Sequence, residues 1–270
     1  MSSILGLMTC YNRKEKTEKA LRRLVEGNPS LTFSFLAADD GSTDGTYEKL
    51  LQMPEVRVLR GNGSLFYSGG MRLAIAQAKK ETKKYDYCLL FNDDVEFYDH
   101  AIEDLCRKDT SVIWVGPTSD EAGNLSYGGI VKTSNWRPKT KIIMADSEKG
   151  AVCDTFNANC VLIPWKIFVQ LDNIDEVYTH SMGDFDYGFC AGRKGFSIRV
   201  SDRFVGVCPD NPVSVSWRNR ELSIKERIRR KESPKGLPAK EWFHYLKKNY
   251  HIVTAAAYSL IPYIRIVLGR

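Results

Sequence analysis

Two stretches of this chain put carboxylates side by side at the ends of apolar runs. Asn92, Asp93 and Asp94 follow Leu89, Leu90 and Phe91, and Asp39 and Asp40 follow "LTFSFLAA". Adjacent carboxylates repel unless a cation is near. Hard cations such as Mg2+ or Mn2+ take oxygen ligands, often one or two carboxylates plus substrate phosphates. An isolated "NDD" would more simply form an Asx turn and cap the next helix. A third acidic group, "GDFDYG" at 183–188, carries Asp184 and Asp186 two residues apart at an expected helix start. The helix dipole favours carboxylates there, and capping accounts for one of them. The other could act as a general base toward an attacking hydroxyl.

Other chemistries lack their residues. There is no phosphate-binding G-x-x-x-x-G-K-[ST] and no G-x-S-x-G elbow, and "GNGSLFYSGG" lacks the third glycine of a dinucleotide fingerprint. His100, His180, His244 and His251 have no metal-ligand spacing.

The elements that position these groups follow from periodicity. Apolar runs predict strands at 4–9, 31–38, 56–59 and 85–91. Helical spacing predicts helices at 14–26, 45–52 and 69–80. This alternation predicts an α/β domain with a mostly parallel sheet, in which ligands bind beyond the carboxyl ends of the strands. The four strand ends read "CYNR", "DDGSTDG", "GNGS" and "NDDV", with five aspartates among them. One polar strand end is a loop; four converging on one edge suggest a site. Residues 111–163 are β-rich, a helix is expected at 183–193 and a strand at 196–200. Basic helices at 219–231 and 240–250 flank the loop "SPKGLP".

The chain has 270 residues, 43% hydrophobic and 27% charged, with net charge +6. The charge is uneven: residues 218–270 hold 13 Lys and Arg against 4 Glu, and residues 1–217 hold 26 against 29 acidic residues. We therefore divide the chain into a main domain, 1–217, which carries the acidic strand ends, and a basic helical extension, 218–270, suited to a solvated tail or an anionic surface. The odd count of seven cysteines, without C-x-x-C, suits reduced thiols in a cytoplasmic protein. No signal peptide is expected from "MSSILGLMTCYN". The apolar segment 252–269 carries Pro262 and Arg265 and is short for a membrane span. It reads equally as a packed helix or an interfacial one. No nucleic-acid motif accompanies the basic tail.

Taken in order, "MTCYNR", "DDGSTDGT", "NDDVEF" and "GDFDYGFCAGRKGF" resemble the family 2 inverting glycosyltransferases of GT-A fold, over residues 3–210. Within the family the chain is similar to bacterial rhamnosyltransferase-type enzymes of surface polysaccharide synthesis. The resemblance implies a GT-A fold and transfer of a sugar from a nucleotide-diphosphate donor, dTDP-rhamnose or a UDP-hexose. The acceptor would be a glycan or lipid-linked oligosaccharide, met at the inner face of the plasma membrane. It implies Asp184 as catalytic base, Asp94 as the metal residue for Mg2+ or Mn2+, and Asp40 against the nucleobase. Thr9, Tyr11, Arg13, Asn62, Arg72, Asn92 and Asp93 would line the donor. Asn92 stands where the family motif begins with an acid, Gly183 where Glu is usual before the base, and Arg72 where Asn is common. "FVGVCPDNP" lacks the histidine ligand of many relatives. A non-catalytic nucleotide-sugar or glycan-binding protein on the same fold is the alternative.

Overall fold

Strand β1 (Ser2–Cys10) crosses the interior because both of its faces are apolar. Leu5 and Leu7 join one hydrophobic cluster, and Ile4, Met8 and Cys10 join another on the opposite face. The period of two is that of a strand covered on both sides. The computed structural model describes residues 1–209, 214 and 216–269.

In chain order, β1 is followed by β2 (Leu31–Asp39), β3 (Val56–Arg60), β4 (Tyr87–Phe91), β5 (Glu96–Phe97), β6 (Ile113–Val115) and β7 (Thr118–Ser119). Then come β8 (Leu125–Tyr127), β9 (Gly129–Lys132), β10 (Thr140–Ile143) and β11 (Ala151–Val152). The last strands are β12 (Thr155–Phe156), β13 (Cys160–Pro164), β14 (Ile198–Val200) and β15 (Gly206–Val207). Eight of them form the central sheet in the order β11-β14-β6-β13-β4-β1-β2-β3. Two small sheets, β10-β9-β12 and β5-β15-β7-β8, lie beside it.

Register decides where the loops meet. Cys10 of β1 pairs with Asp39 of β2, and Asp39 with Arg60 of β3, all parallel. Leu7 pairs with Leu90 of β4, also parallel. The four carboxyl ends therefore lie along one edge. Strand β13 enters the sheet antiparallel to β4, with Cys160 opposite Phe91. Its beginning, not its end, reaches that same edge.

Helices α1 (Lys14–Glu26), α2 (Thr46–Leu50) and α4 (Ala101–Cys106) cover one face of the sheet through Leu21, Leu24, Leu50 and Ile102. The other face carries α3 (Phe66–Ala78) and α6 (Gly183–Arg193); α5 (Trp165–Phe168) is a single turn. Helix α3 starts three residues before its expected position because Asp40 accepts the backbone N–H groups of Leu65 and Phe66. Those donors would otherwise be orphans of a first turn.

The extension folds as α7 (Ile224–Glu232), α8 (Ala239–Asn249) and α9 (Ile252–Val267). Helix α7 begins at Ile224, not 219, because Ser223 Oγ accepts from Glu226 N–H at 3.2 Å, the Ser-x-x-Glu cap. Tyr245, Leu246 and Ala255 join the hydrophobic cluster of α3 and α6. Pro262 has no N–H for the Tyr258 carbonyl, and the Trp242 indole N–H supplies one at 3.2 Å. The extension is also less of a solvated tail than its charge suggests. Arg227 and Lys231 are buried. Arg227 donates to the carbonyls of Trp217 and Ile266, at 3.0 and 3.3 Å. Lys231 pairs with Glu232 and lies over the Tyr263 ring.

Candidate active site

The loop after β2 is held by its own turn chemistry. Asp39 accepts from Ser42 N–H at 3.2 Å, and Asp44 accepts from the N–H groups of Thr46 and Lys14, at 3.0 and 3.1 Å. Gly41 and Gly45 take positive φ, 76° and 87°, where a side chain would be strained. The loop is joined to the one after β1: Asn12 N–H donates to Ser42 Oγ, and Thr43 N–H to Asn12 Oδ1. Two of the five aspartates at the strand ends thus build the loops.

Asp40 lies at the centre of this edge and is buried. Its carboxylate accepts N–H groups from Gly63, Leu65 and Phe66, at 2.9, 3.1 and 2.9 Å. It clamps the "GNGS" loop and holds Phe66 at φ 53°; Oδ1 takes two of the three donors and Oδ2 one, which leaves Oδ2 one acceptor position for a ligand. Asn62, on that loop, is exposed and turns back to accept from Ser64. Thr9, at the end of β1, donates to the Ala38 carbonyl at 3.1 Å. Helix α3 presses on Thr9 so closely that a Cβ at Gly70 would lie 2.2 Å from its hydroxyl. Tyr11 is 53% exposed at the rim, free to meet a ligand.

Arg13 bridges the acidic pair. One guanidinium nitrogen lies 2.8 Å from Asp93 Oδ1 and 3.3 Å from Asp94 Oδ2. Asp93 is buried and also accepts from Thr17 Oγ1 at 2.8 Å. Burial raises its pKa, and Arg13 and Thr17 oppose that shift. Asp94 is half-exposed and receives a weak Cys208 S–H contact at 3.7 Å. Asn92 Nδ2 donates to Asn159 Oδ1 at 3.2 Å, and Asn159 Nδ2 reaches Cys208 Sγ at 3.3 Å.

Asp184 belongs to the same cluster. Its Oδ2 accepts from Ala158 N–H at 3.2 Å, the residue next to Asn159 at the start of β13. The side chain is partly accessible, yet the surrounding protein removes enough water to push its pKa up to about 6. The N–H groups of Ala158 and Phe185 partly offset that rise. The charges of Asp184 and Asp94 both act on Tyr67, whose pKa burial raises first and these charges raise further. Gly183 occupies its place because a Cβ there would lie 2.4 Å from Ser68 Oγ on α3. His180 covers this junction. Its Nδ1 accepts from Tyr67 N–H at 3.4 Å, and burial lowers its pKa to about 4, so the ring is neutral.

Asp186 has a different task. It is buried and held by Lys248 at 2.7 Å, Asn249 Nδ2 at 2.8 Å and Arg193 at 3.6 Å. It anchors α8 rather than facing a substrate. Arg72 also holds structure, donating to the carbonyls of Asp175 and Tyr178 at 3.1 and 2.7 Å. Residues 210–212 of "FVGVCPDNP" lie outside the described residues.

No group of three or more His, Cys, Asp or Glu that could hold a metal occurs among the described residues. Asp94 offers a single accessible carboxylate beside the amide of Asn92. That donor set fits Mg2+ or Mn2+ where ligand phosphates complete the shell. A cavity of about 750 Å³ beside α4 and β14 includes none of the expected site residues. Sequence reading missed Tyr67, Ala158, Asn159 and Cys208. "NAN" before a buried strand was the available signal for the second and third, but it stands at a strand beginning.

Residues 7–156, more than half of the chain, match the family described as glycosyl transferase family 2. A search of curated proteins found no match. Among solved structures, the chain is similar to mannosyltransferase PcManGT from Pyrobaculum calidifontis in complex with GDP-Man and Mn2+. The TM-score is 0.54 at 14% identity, over 98% of this chain and 73% of that one. It is similar to S. aureus TarS 1–349 in complex with UDP-GlcNAc, at TM-score 0.55 and 12% identity, over 99% and 82%. A longer TarS structure is spanned over only 55% of its length. GalNAc-T7 with UDP, GalNAc and Mn2+ aligns at TM-score 0.53 and 14% identity, over 92% and 56%. At these identities the likeness is one of fold.

Proposed function

The chain belongs to glycosyl transferase family 2 and has the GT-A fold, and from that premise we propose that it transfers a sugar from a nucleotide-diphosphate donor to a glycan with inversion. One observation carries the reading. Asp184 accepts from Ala158 N–H at 3.2 Å, and the next residue, Asn159, accepts from Asn92 and reaches the Cys208 thiol that lies 3.7 Å from Asp94, so a carboxyl raised to about 6 and an accessible carboxylate stand along one edge of the sheet. At neutral pH Asp184 is ionised yet more basic than an ordinary aspartate. It takes the proton of the acceptor hydroxyl as that oxygen attacks the anomeric carbon. The new C–O bond forms on the face opposite the nucleotide diphosphate, whose C–O bond breaks. One displacement inverts the centre without a covalent enzyme intermediate.

Asp94, with Asn92, is the group proposed to hold Mg2+ or Mn2+, which supplies charge stabilisation to a leaving diphosphate. Arg13 adds a fixed positive charge at the same edge. Thr9, Tyr11, Asp40, Asn62 and Asp93 are proposed to frame the donor. The contacts of Arg72 support a loop-holding part for it. The donor is proposed to be dTDP-rhamnose or a UDP-hexose. The acceptor is proposed to be lipid-linked, in bacterial surface polysaccharide synthesis, with the protein peripheral on the inner face of the membrane. The relatives' complexes with GDP-Man, UDP-GlcNAc and Mn2+ support a nucleotide-sugar site with a divalent ion. A panel of nucleotide sugars, each with and without Mn2+, tests this by nucleotide diphosphate release. Release with one donor class is expected; none with any donor would overturn the reading.

A further inference from the structure

Helix α9 is turned the wrong way round for a packed helix. Its buried residues are Thr254, Ala255, Pro262 and Ile266. Most of its larger aliphatic side chains face outward. Val253 is 64% exposed, Leu260 59% and Ile264 52%, and Ile252, Val267 and Leu268 are exposed with them. Ala256 and Ala257 fill the spaces between. At about 100° per residue these positions share an arc of about 160°, with Tyr263, half-buried, its only polar member. Isolated exposed leucines are ordinary, but a continuous apolar stripe marks an interaction surface.

The surroundings select the partner. Thr254 Oγ1 donates to the Trp136 carbonyl at 2.9 Å, and the Trp136 and His251 rings lie 5.6 Å apart. This fixes the 133–139 loop, between β9 and β10, beside the start of α9. Trp136 is 68% exposed. The hairpin "KTSNWRPKTK", residues 132–141, has four Lys and Arg and no acid; Lys132 is turned inward onto the Asn249 carbonyl, and Arg137 and Lys139 lie on the loop itself. Arg137 and Lys139 on the loop, Lys247 on α8 and Arg265 on α9 are exposed. None of these four is in an ion pair among the described residues. A 16-residue helix is about 24 Å long, and no helix among the described residues is long and apolar enough to cross a membrane.

We infer that α9 and the Trp136 loop form one docking plane for an anionic lipid bilayer. The aliphatic stripe enters the interface, Trp136 lies at headgroup depth, and Arg137 and Lys139 beside it meet lipid phosphates, with the long Arg265 side chain reaching from about 60° outside the stripe. A second copy of the chain fits less well, because a two-fold contact through this face would set the same cations against each other. The inference deepens the peripheral reading above and rests on it for the location of the acceptor. It does not rest on the assignment of the base.

The test uses the whole chain and vesicles of phosphatidylcholine with or without phosphatidylglycerol. The wild type is expected to sediment with the anionic vesicles, less at high salt, and to show blue-shifted tryptophan emission that Trp136→Phe removes. Leu260→Asp with Ile264→Asp should weaken vesicle binding by about tenfold or more, with an unchanged circular dichroism spectrum. Asp184→Asn protein should bind vesicles like the wild type, so failure of docking and failure of the catalytic reading are separable. Equal vesicle binding by the double variant would overturn the inference. So would a lipid-indifferent dimer that the double variant dissociates.

Discussion

The Lys248 ammonium lies 2.7 Å from Asp186 Oδ2 and 2.9 Å from Asp175 Oδ2. It ties α8 to the segment on either side of Asp184. Glu241 adds to this grip by accepting from Thr179 N–H at 3.2 Å, and His244 pairs with Asp175 at 2.9 Å. The extension is therefore part of the frame that places Asp184. Lys248→Met should cost about 1–3 kcal/mol in stability, because Asp186 loses one of its cations in a buried place. It should lower kcat by about tenfold or more while changing the donor KM little, because a small misplacement of a reacting group is costly. Lys248→Arg should recover part of both. Steady-state kinetics and urea unfolding check this, and loss of stability with unchanged kcat would confine Lys248 to folding.

The pH profile has a definite sign. A base acts when deprotonated, so kcat/KM should fall as pH drops through about 6 and level off above it. A limb at that pH is usually assigned to histidine. His180 is lowered to about 4 and cannot account for it. His180→Asn should keep the limb near 6, and a limb that disappears in this variant would contradict the assignment.

Metal removal separates two parts of the account. Chelation should abolish transfer, and Mn2+ or Mg2+ should restore it. Asp94→Asn should raise the metal concentration for half-maximal rate by about tenfold or more. Equal rates in chelator and in Mn2+ would sink the metal proposal and leave the base untouched.

The Trp242 indole and Pro262 form a testable pair. Trp242→Phe removes the donor to the Tyr258 carbonyl and should cost about 1 kcal/mol beyond lost packing. Pro262→Ala gives the helix its own N–H for that carbonyl. The cost of Trp242→Phe should then fall by about 0.5–1 kcal/mol in the Pro262→Ala background. Additive effects in a thermal or urea double-mutant cycle would contradict this.

Much of the frame was legible in the sequence. Residues 14–26 and 183–193 follow helical spacing and form α1 and α6 with those bounds. The apolar runs ending at Asp39 and Asn92 form parallel strands, so their polar ends meet. What stayed hidden came from pairing across the chain. Strand β13 runs antiparallel, so its beginning delivers Ala158 and Asn159 to the site, where a reading of strand ends finds nothing. Asp184 and Asp186 look alike in sequence. Lys248 and Asn249, over sixty residues later, make Asp186 an anchor, while Asp184 is held by the backbone N–H groups of Ala158 and Phe185. Asp40 likewise looks free until the 63–66 loop folds onto it.

Asp184→Asn tests the central claim most directly. Its raised pKa means that ionised Asp184 weakens the fold. That cost grows as pH rises from the unfolded carboxylate range toward 6 and persists above it. The variant should be more stable than the wild type at pH 8, by about 1 kcal/mol. It should bind the nucleotide-sugar donor with unchanged Kd and lose transfer by about 10²–10⁴-fold. Turnover within a few-fold of wild type, with intact donor binding, would contradict the account.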